Sequence, residues 1–265
     1  MDLSLGLTTS MPVSSSVLLA KKVEKLEYSR VWVGEDIPKR EIFTYLSILA
    51  LNTREIGLGT GITSPYVRDK VILSTSIQAM YLLLGDRFIL GIGAGGLPEI
   101  EEFTGRKPSK PLSVLEDTTN LVMDKFDTSV YFGIRGPKML ELAGRIADGV
   151  ILSGPKSYIS KAVKIIDDAA NGREVRKVLW NAFILDGTQK DATKITSIML
   201  ESMPEFALAG LKDNPENELC IFGSVDEILE EAKNYEELGI DELVVGPPYG
   251  KNPEDVIRRV GEAWI

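Results

Sequence analysis

Glu35 and Asp36 stand side by side where an apolar run, Val31-Trp32-Val33-Gly34, gives out. Two adjacent carboxylates can do proton work. Burial, or one another's charge, raises the pKa of one and leaves a proton donor near neutral pH, which general acid–base catalysis needs. The same pair also suits an ordinary solvated strand end, and the residue types alone do not separate the two readings. A second set lies at Arg135, Gly136, Pro137 and Lys138. Proline is favoured at the first position of a helix. The free amides and dipole of such a helix start attract an anion, and Arg135 and Lys138 add charge. The competing reading is two surface cations around a helix start; a place at the rim of a barrel favours the anion. A third stretch, Ile56 to Gly61, has glycine at every second position. Such a strand lets a planar ligand or another backbone approach closely, or it is simply a weakened strand before a turn.

Composition removes other chemistries. The 265 residues include no histidine and one cysteine, Cys220. Histidine bases, histidine-dependent triads, common zinc sites and an internal disulfide are therefore excluded. Cys220 has no activating neighbour in sequence and reads as inert. Net charge is −9, against a long nucleic-acid surface. No apolar run reaches the roughly 20 residues of a membrane span. The start, MDLSLGLTTS, has no basic region before an apolar one and does not resemble a secretory signal. The expectation is a cytoplasmic protein acting on a small molecule.

The elements that must position these residues alternate. Strand-like runs fall at 3–7, 29–36, 56–60, 87–96, 129–136, 148–154, 177–185 and 241–250. Helices are expected over 14–27, 39–51, 69–84, 112–125, 137–147, 157–170, 192–211, 225–239 and 253–264. Ile42, Tyr45, Leu46 and Leu49 form the inner face of the second helix, and Ile72, Ser76, Ala79 and Leu83 that of the third. Gly85 caps the third helix, and GRKPSKP is an exposed loop. Short apolar strands, each followed by a helix, imply a parallel sheet buried on both faces. Eight such units in 265 residues favour a (β/α)8 TIM barrel spanning 1–265 as a single domain. Ligands then sit at the C-terminal strand ends. Those ends are Thr8–Thr9, Gly34–Asp36, Gly59–Ser64, Gly93–Gly96, Ile134–Gly136, Ser153–Gly154 and Gly246–Tyr249. Trp32 and Trp180 read as core packing; Tyr66 and Tyr249 read either as covers for a flat ring or as ordinary rim tyrosines.

Taken in order, VWVGEDI (31–37), GLGTGITSPYVR (57–68), DRFILGIGAG (86–95), GIRGPKMLELAGRIADGVIL (133–152) and DELVVGPP (241–248) resemble the bacterial luciferase-like flavin- or deazaflavin-dependent oxidoreductases. The likeness is nearest to the methylenetetrahydromethanopterin reductase branch, which uses the deazaflavin coenzyme F420. It implies an oxidoreductase moving hydride between F420 and an organic substrate. An FMN-dependent oxidoreductase or monooxygenase and a non-catalytic flavin-binding protein are the alternatives. By the resemblance, Glu35 and Asp36 contact the coenzyme ring and relay a proton, although Asp36 stands where relatives carry histidine. Thr60, Gly61 and Ile62 support the back of the ring, across a cis Gly61–Ile62 peptide bond. Ala94 and Gly95 meet the ring or ribityl chain. Arg135, Gly136, Lys138 and Met139 hold the coenzyme phosphate. Gly96 stands where one F420 branch carries a catalytic glutamate. The resemblance further implies a homodimer and a shortened insertion region at 97–128, which leaves the substrate open.

Overall fold

In a computed structural model, the chain is described at every residue except 202, 212, 213, 248, 250, 251 and 265. The strands are β1 (Asp2–Thr8), β2 (Arg30–Gly34), β3 (Gly57–Thr60), β4 (Phe88–Ile92), β5 (Ser129–Gly133), β6 (Gly149–Leu152), β7 (Arg176–Leu179), β8 (Ala182–Leu185), β9 (Cys220–Gly223) and β10 (Glu242–Val245). β1 to β7 and β10 close into a parallel barrel, in chain order around the ring, with β10 between β7 and β1. Register runs from Ser4 opposite Arg30 to Thr8 opposite Gly34 on one side of β1, and from Asp2 opposite Glu242 to Leu5 opposite Val245 on the other. The expected (β/α)8 barrel is therefore the architecture found.

Around the barrel lie α1 (Val13–Lys25), α2 (Ile42–Asn52), α3 (Lys70–Leu84), α4 (Leu97–Thr104), α5 (Pro111–Met123), α6 (Pro137–Ile146), α7 (Lys156–Ala170), α8 (Gln189–Glu201), the short α9 (Glu205–Leu208) and α10 (Glu216–Leu219), α11 (Val225–Glu237) and α12 (Pro253–Trp264). Trp32, Ile89, Tyr131, Ile151, Val178 and Val244 fill the barrel's interior, as inward positions of a small barrel must. The alternating glycines of β3 serve this packing. A Cβ at Gly57 would stand 2.5 Å from the Arg30 guanidinium, one at Gly59 2.6 Å from the Trp32 ring, and one at Gly61 2.7 Å from the Trp180 ring. The space they leave is taken by the protein's own side chains.

Two expectations are corrected. The run 177–185 is not one strand. It divides at Trp180 and Asn181: β7 stays in the barrel, while β8 pairs with β9 in a separate two-stranded parallel sheet. That sheet and α8 share their own apolar cluster, including Ile184, Ala192, Leu219 and Cys220. The strand at 220–223 and the short α4 and α10 had no clear periodic signal. On α3, the buried residues are Leu73, Ile77, Met80 and Leu84; Ile72 and Leu83 face outward. The helix is apolar on two adjacent stripes, and periodicity does not say which stripe the barrel takes. Ser202, inside the expected helix 192–211, and Pro248 and Gly250, at the end of the expected last strand, lie outside the described residues.

Candidate active site

The C-terminal mouth of the barrel opens into a cavity of about 1080 Å³. Its wall includes Gly61, Ile62, Ala94, Gly95, Arg135, Gly136 and Met139. Seven of the residues singled out in the sequence are thus brought together, from the ends of three strands, β3, β4 and β5. The Gly61–Ile62 peptide is cis, as the resemblance implied. The Ile62 side chain lies over two glycines: a Cβ at Gly133 would stand 2.4 Å from it and one at Gly93 3.2 Å. Glycine at those positions lets Ile62 form an apolar shelf between the barrel interior and the cavity.

Arg135 sits just before α6. Its Nε donates to the Ser153 carbonyl (3.3 Å), and the Tyr158 hydroxyl donates to its backbone carbonyl (3.1 Å). No carboxylate pairs with it among the described residues. Burial pushes its guanidinium below its ordinary pKa, with Tyr158 working in the opposite direction. Gly136 caps α6 without a side-chain hydrogen bond, and Pro137 is the first helical residue. An unpaired guanidinium beside open helical amides is an anion site by charge and geometry. Lys138, placed in the same set by the sequence, is exposed and outside the cavity wall. One residue further around α6, it points away.

The opposite side of the mouth is built differently. Glu35 and Asp36 follow β2 but do not line the cavity. Glu35 is engaged on both oxygens. Oε2 accepts from Thr63 Oγ1 (2.8 Å) and from Arg68 Nη1 (3.1 Å), and Oε1 accepts from Arg68 Nη2. Arg68 also donates to Glu41 Oε1 (2.8 Å). Burial alone would lower the Arg68 pKa, but Glu35 and Glu41 hold it above the ordinary value. Asp36 instead accepts from Ser10 Oγ (2.5 Å), which shares a hydrogen bond with Thr8 Oγ1 (2.7 Å). Thr60 is fully buried and outside the cavity wall. Its hydroxyl donates to the Gly91 carbonyl (2.7 Å) and accepts from the Gly91 amide (2.8 Å), stitching β3 to β4 beneath the cavity.

Sequence reasoning missed the cavity floor. Trp180, assigned to the core, lines the cavity. Its indole lies across Gly6, Gly61 and Gly246, where added Cβ atoms would come within 2.2–2.7 Å of the ring. Had the strand been ended at Leu179, Trp180 would have fallen at a C-terminal strand end and read as a site residue. Trp32 is core, its Nε1 donating to Glu242 (2.6 Å). The far wall comes from Ile195, Ile198 and Met199 of α8, with Leu97 of α4 opposite; helical periodicity marks such residues as apolar but not as lining a cavity. Tyr249 is buried and bonds the Gly6 carbonyl. Tyr66 donates to the Ser109 carbonyl (2.5 Å) and pins the 105–110 loop. Neither covers the cavity.

Residues 4–129 match the family model described as luciferase-like monooxygenase. The chain is 27% identical over 327 aligned positions to the 5,10-methylenetetrahydromethanopterin reductase of Methanolobus tindarius, covering 100% of both. It is 24% identical over 310 positions to the enzyme of the same name from Archaeoglobus fulgidus, covering 92% of this chain and 93% of the relative. Among solved structures, the coenzyme F420-dependent tetrahydromethanopterin reductase of Methanopyrus kandleri superposes with a TM-score of 0.87 at 20% identity, over 98% of this chain and 97% of that one. The chain is thus similar to luciferase-like proteins over residues 4–129 and to methylenetetrahydromethanopterin reductases along its length. The cavity at the barrel mouth is the candidate active site of an oxidoreductase. No helix among the described residues is long and apolar enough to cross a membrane.

Proposed function

We propose that this luciferase-like protein is an F420-dependent oxidoreductase that moves hydride between the deazaflavin and a small organic substrate. One observation carries the reading: a single cavity of about 1080 Å³ joins an anion site, Arg135 at the open start of α6, to an apolar shelf, Ile62. The relatives named above favour F420 over FMN. The residues present fit such a coenzyme. Arg135 lacks a carboxylate partner among the described residues, and a Cβ built at Gly136 would meet nothing within 4 Å, so the helix start is open to a ligand.

The coenzyme, when bound, supplies the hydride chemistry; the chain binds, orients and excludes water. Arg135 and the Lys138 amide, the first N–H of α6, would take the phosphate. Ile62 supports the ring from behind, and Ala94 and Gly95 let its edge come close. Trp180 closes the floor against water. Asp36, linked through Ser10 to Thr8, holds and passes a proton at the β1–β2 rim. Thr60 acts through the strand it stitches, and Lys138 adds only a distant positive charge.

We further propose that the chain acts as one cytoplasmic domain and as a homodimer. Leu18, Leu51, Val71, Ile72, Leu82 and Leu83 stand exposed on α1, α2 and α3, more outward apolar surface than isolated helices need to show. A monomer mass by light scattering at micromolar concentration overturns the dimer.

The test of function is a binding titration of the purified chain with F420 and with FMN, followed by turnover with each reduced cofactor. Tighter F420 binding with turnover supports the reading. Preference for FMN, or retention of a coenzyme without turnover, overturns it in favour of an FMN enzyme or a carrier.

A further inference from the structure

We infer that Arg68 is a positioning residue for the coenzyme site, and that Glu35 serves it as the other half of a clamp around residues 62–64. The argument rests on what the pair encloses. The Glu35 amide donates to the Ile62 carbonyl (3.2 Å). The Glu35 carboxylate accepts from the Thr63 hydroxyl (2.8 Å) and, more weakly, from the Ser64 amide (3.4 Å). Arg68 donates to Thr63 Oγ1 (3.0 Å) while holding both oxygens of Glu35. The Ser64 hydroxyl then donates to the Ala94 carbonyl (3.0 Å). Every residue of the 62–64 segment is thus tied to the clamp, and through Ser64 it reaches Ala94. Two of the residues so held, Ile62 and Ala94, line the cavity.

The pair is an odd device for stability. Its side chains are only 6% and 8% exposed. Desolvating two charges offsets most of what their attraction returns, and an apolar pair of the same volume is often as stable. What a buried, bidentate arginine–carboxylate pair does supply is a fixed geometry. Arg68 is fixed further by stacking over Phe43 (5.2 Å) and by Glu41 at the start of α2. It therefore anchors the ring shelf to the helical shell. In this role the Glu35 carboxylate is spent on structure, and Asp36, which accepts from Ser10 and pairs with no cation among the described residues, is the less engaged carboxylate.

The inference rests on the proposed coenzyme site, so its test has one readout that needs no coenzyme. Arg68→Met, Glu35→Gln, Thr63→Val and Arg68→Lys are compared with wild type by amide hydrogen exchange at 62–64 and by F420 titration. Arg68→Met and Glu35→Gln should speed exchange at Thr63 and Ser64 and weaken F420 binding about tenfold or more, the scale of a small misplacement in a site. Arg68→Lys should recover part of both. The absorption band of bound F420 should shift in Arg68→Met, which a loss of general stability would not cause. Thr63→Val reports on the clamp even if Arg68→Met does not fold. Wild-type exchange together with wild-type affinity in Arg68→Met, or in Thr63→Val if that variant alone folds, overturns the inference. If wild type binds no F420, the functional reading falls, and exchange at 62–64 alone decides the clamp.

Discussion

Two arginines flank the mouth of the barrel, and they live differently. Arg68, on the β2–β3 side, is shared between Glu35 and Glu41 and touches no open space in the cavity. Arg135, on the β5–β6 side, lines the cavity and has no carboxylate partner among the described residues. A half-buried charge with no carboxylate partner is costly. A site that keeps one is adapted to receive the missing charge from a ligand. A charge already satisfied by its own protein holds shape instead. The difference assigns the two sides: one side of the mouth is built, the other is waiting.

The comparison is broken most sharply by chemistry on the built side. Asp36→Asn should lower turnover about 100-fold, the usual scale for losing a general acid or base, while F420 affinity stays within a factor of about two. A variant with wild-type turnover from pH 5 to 9, roughly the range that exposes such a group, would leave Asp36 a structural residue. The waiting side should answer the other way. Arg135→Ala should weaken F420 binding by about 1.5–3 kcal/mol, the scale of charge-assisted hydrogen bonds. Lys138→Ala should cost less than about 1 kcal/mol, because an exposed cation is well screened. Equal losses at the two positions in a titration would refute the distinction drawn between them.

A smaller effect is expected where the two sides meet. Gly133→Ala would put a methyl group 2.4 Å from Ile62. Overpacking of this kind costs about 1–3 kcal/mol, and the shelf must shift into the cavity. A lower melting temperature together with weaker F420 binding is expected; an unchanged F420 titration would show that Ile62 is no support for the ring.

Much of this was legible in the sequence, for identifiable reasons. The barrel was readable because eight short apolar runs alternate with amphipathic helices, a pattern that parallel sheets impose. Arg135 and Gly136 were readable because Pro137 marks a helix start, whereas Met139 came from the resemblance alone. What was not legible depended on partners distant in sequence. Nothing near Glu35 announces that Arg68, 33 residues on, will occupy its oxygens. The glycines at 57, 59 and 61 looked like room for a ligand because their true occupants, Arg30, Trp32 and Trp180, come from β2 and from the break between β7 and β8. Trp180 itself was hidden by an apolar run that continues, without a breaker, from a barrel strand into a strand of another sheet.

The least effect, and the one that bears most directly on the built side, is acid stability through Glu41. Burial alone would raise its carboxyl, but hydrogen bonds from Thr44 and the charge of Arg68 outweigh it and hold the group below its ordinary value of 4.5. The sign follows. A carboxylate with a depressed folded pKa binds its proton more readily in the unfolded chain. Its contribution is therefore fully present above about pH 4.5 and is lost as pH falls below that value. Glu41 also caps α2, its Oε2 accepting from the Thr44 amide (2.7 Å), so Glu41→Gln should cost about 0.5–2 kcal/mol at neutral pH. The variant should lose less stability than wild type as pH falls from about 6 to below about 4.5, where the carboxylate of the unfolded chain takes up its proton first. Denaturant midpoints at the two pH values give the comparison. Parallel curves for wild type and Glu41→Gln would mean that the Arg68 network carries no proton-linked stability on this side of the barrel, and that its charges matter for placement alone.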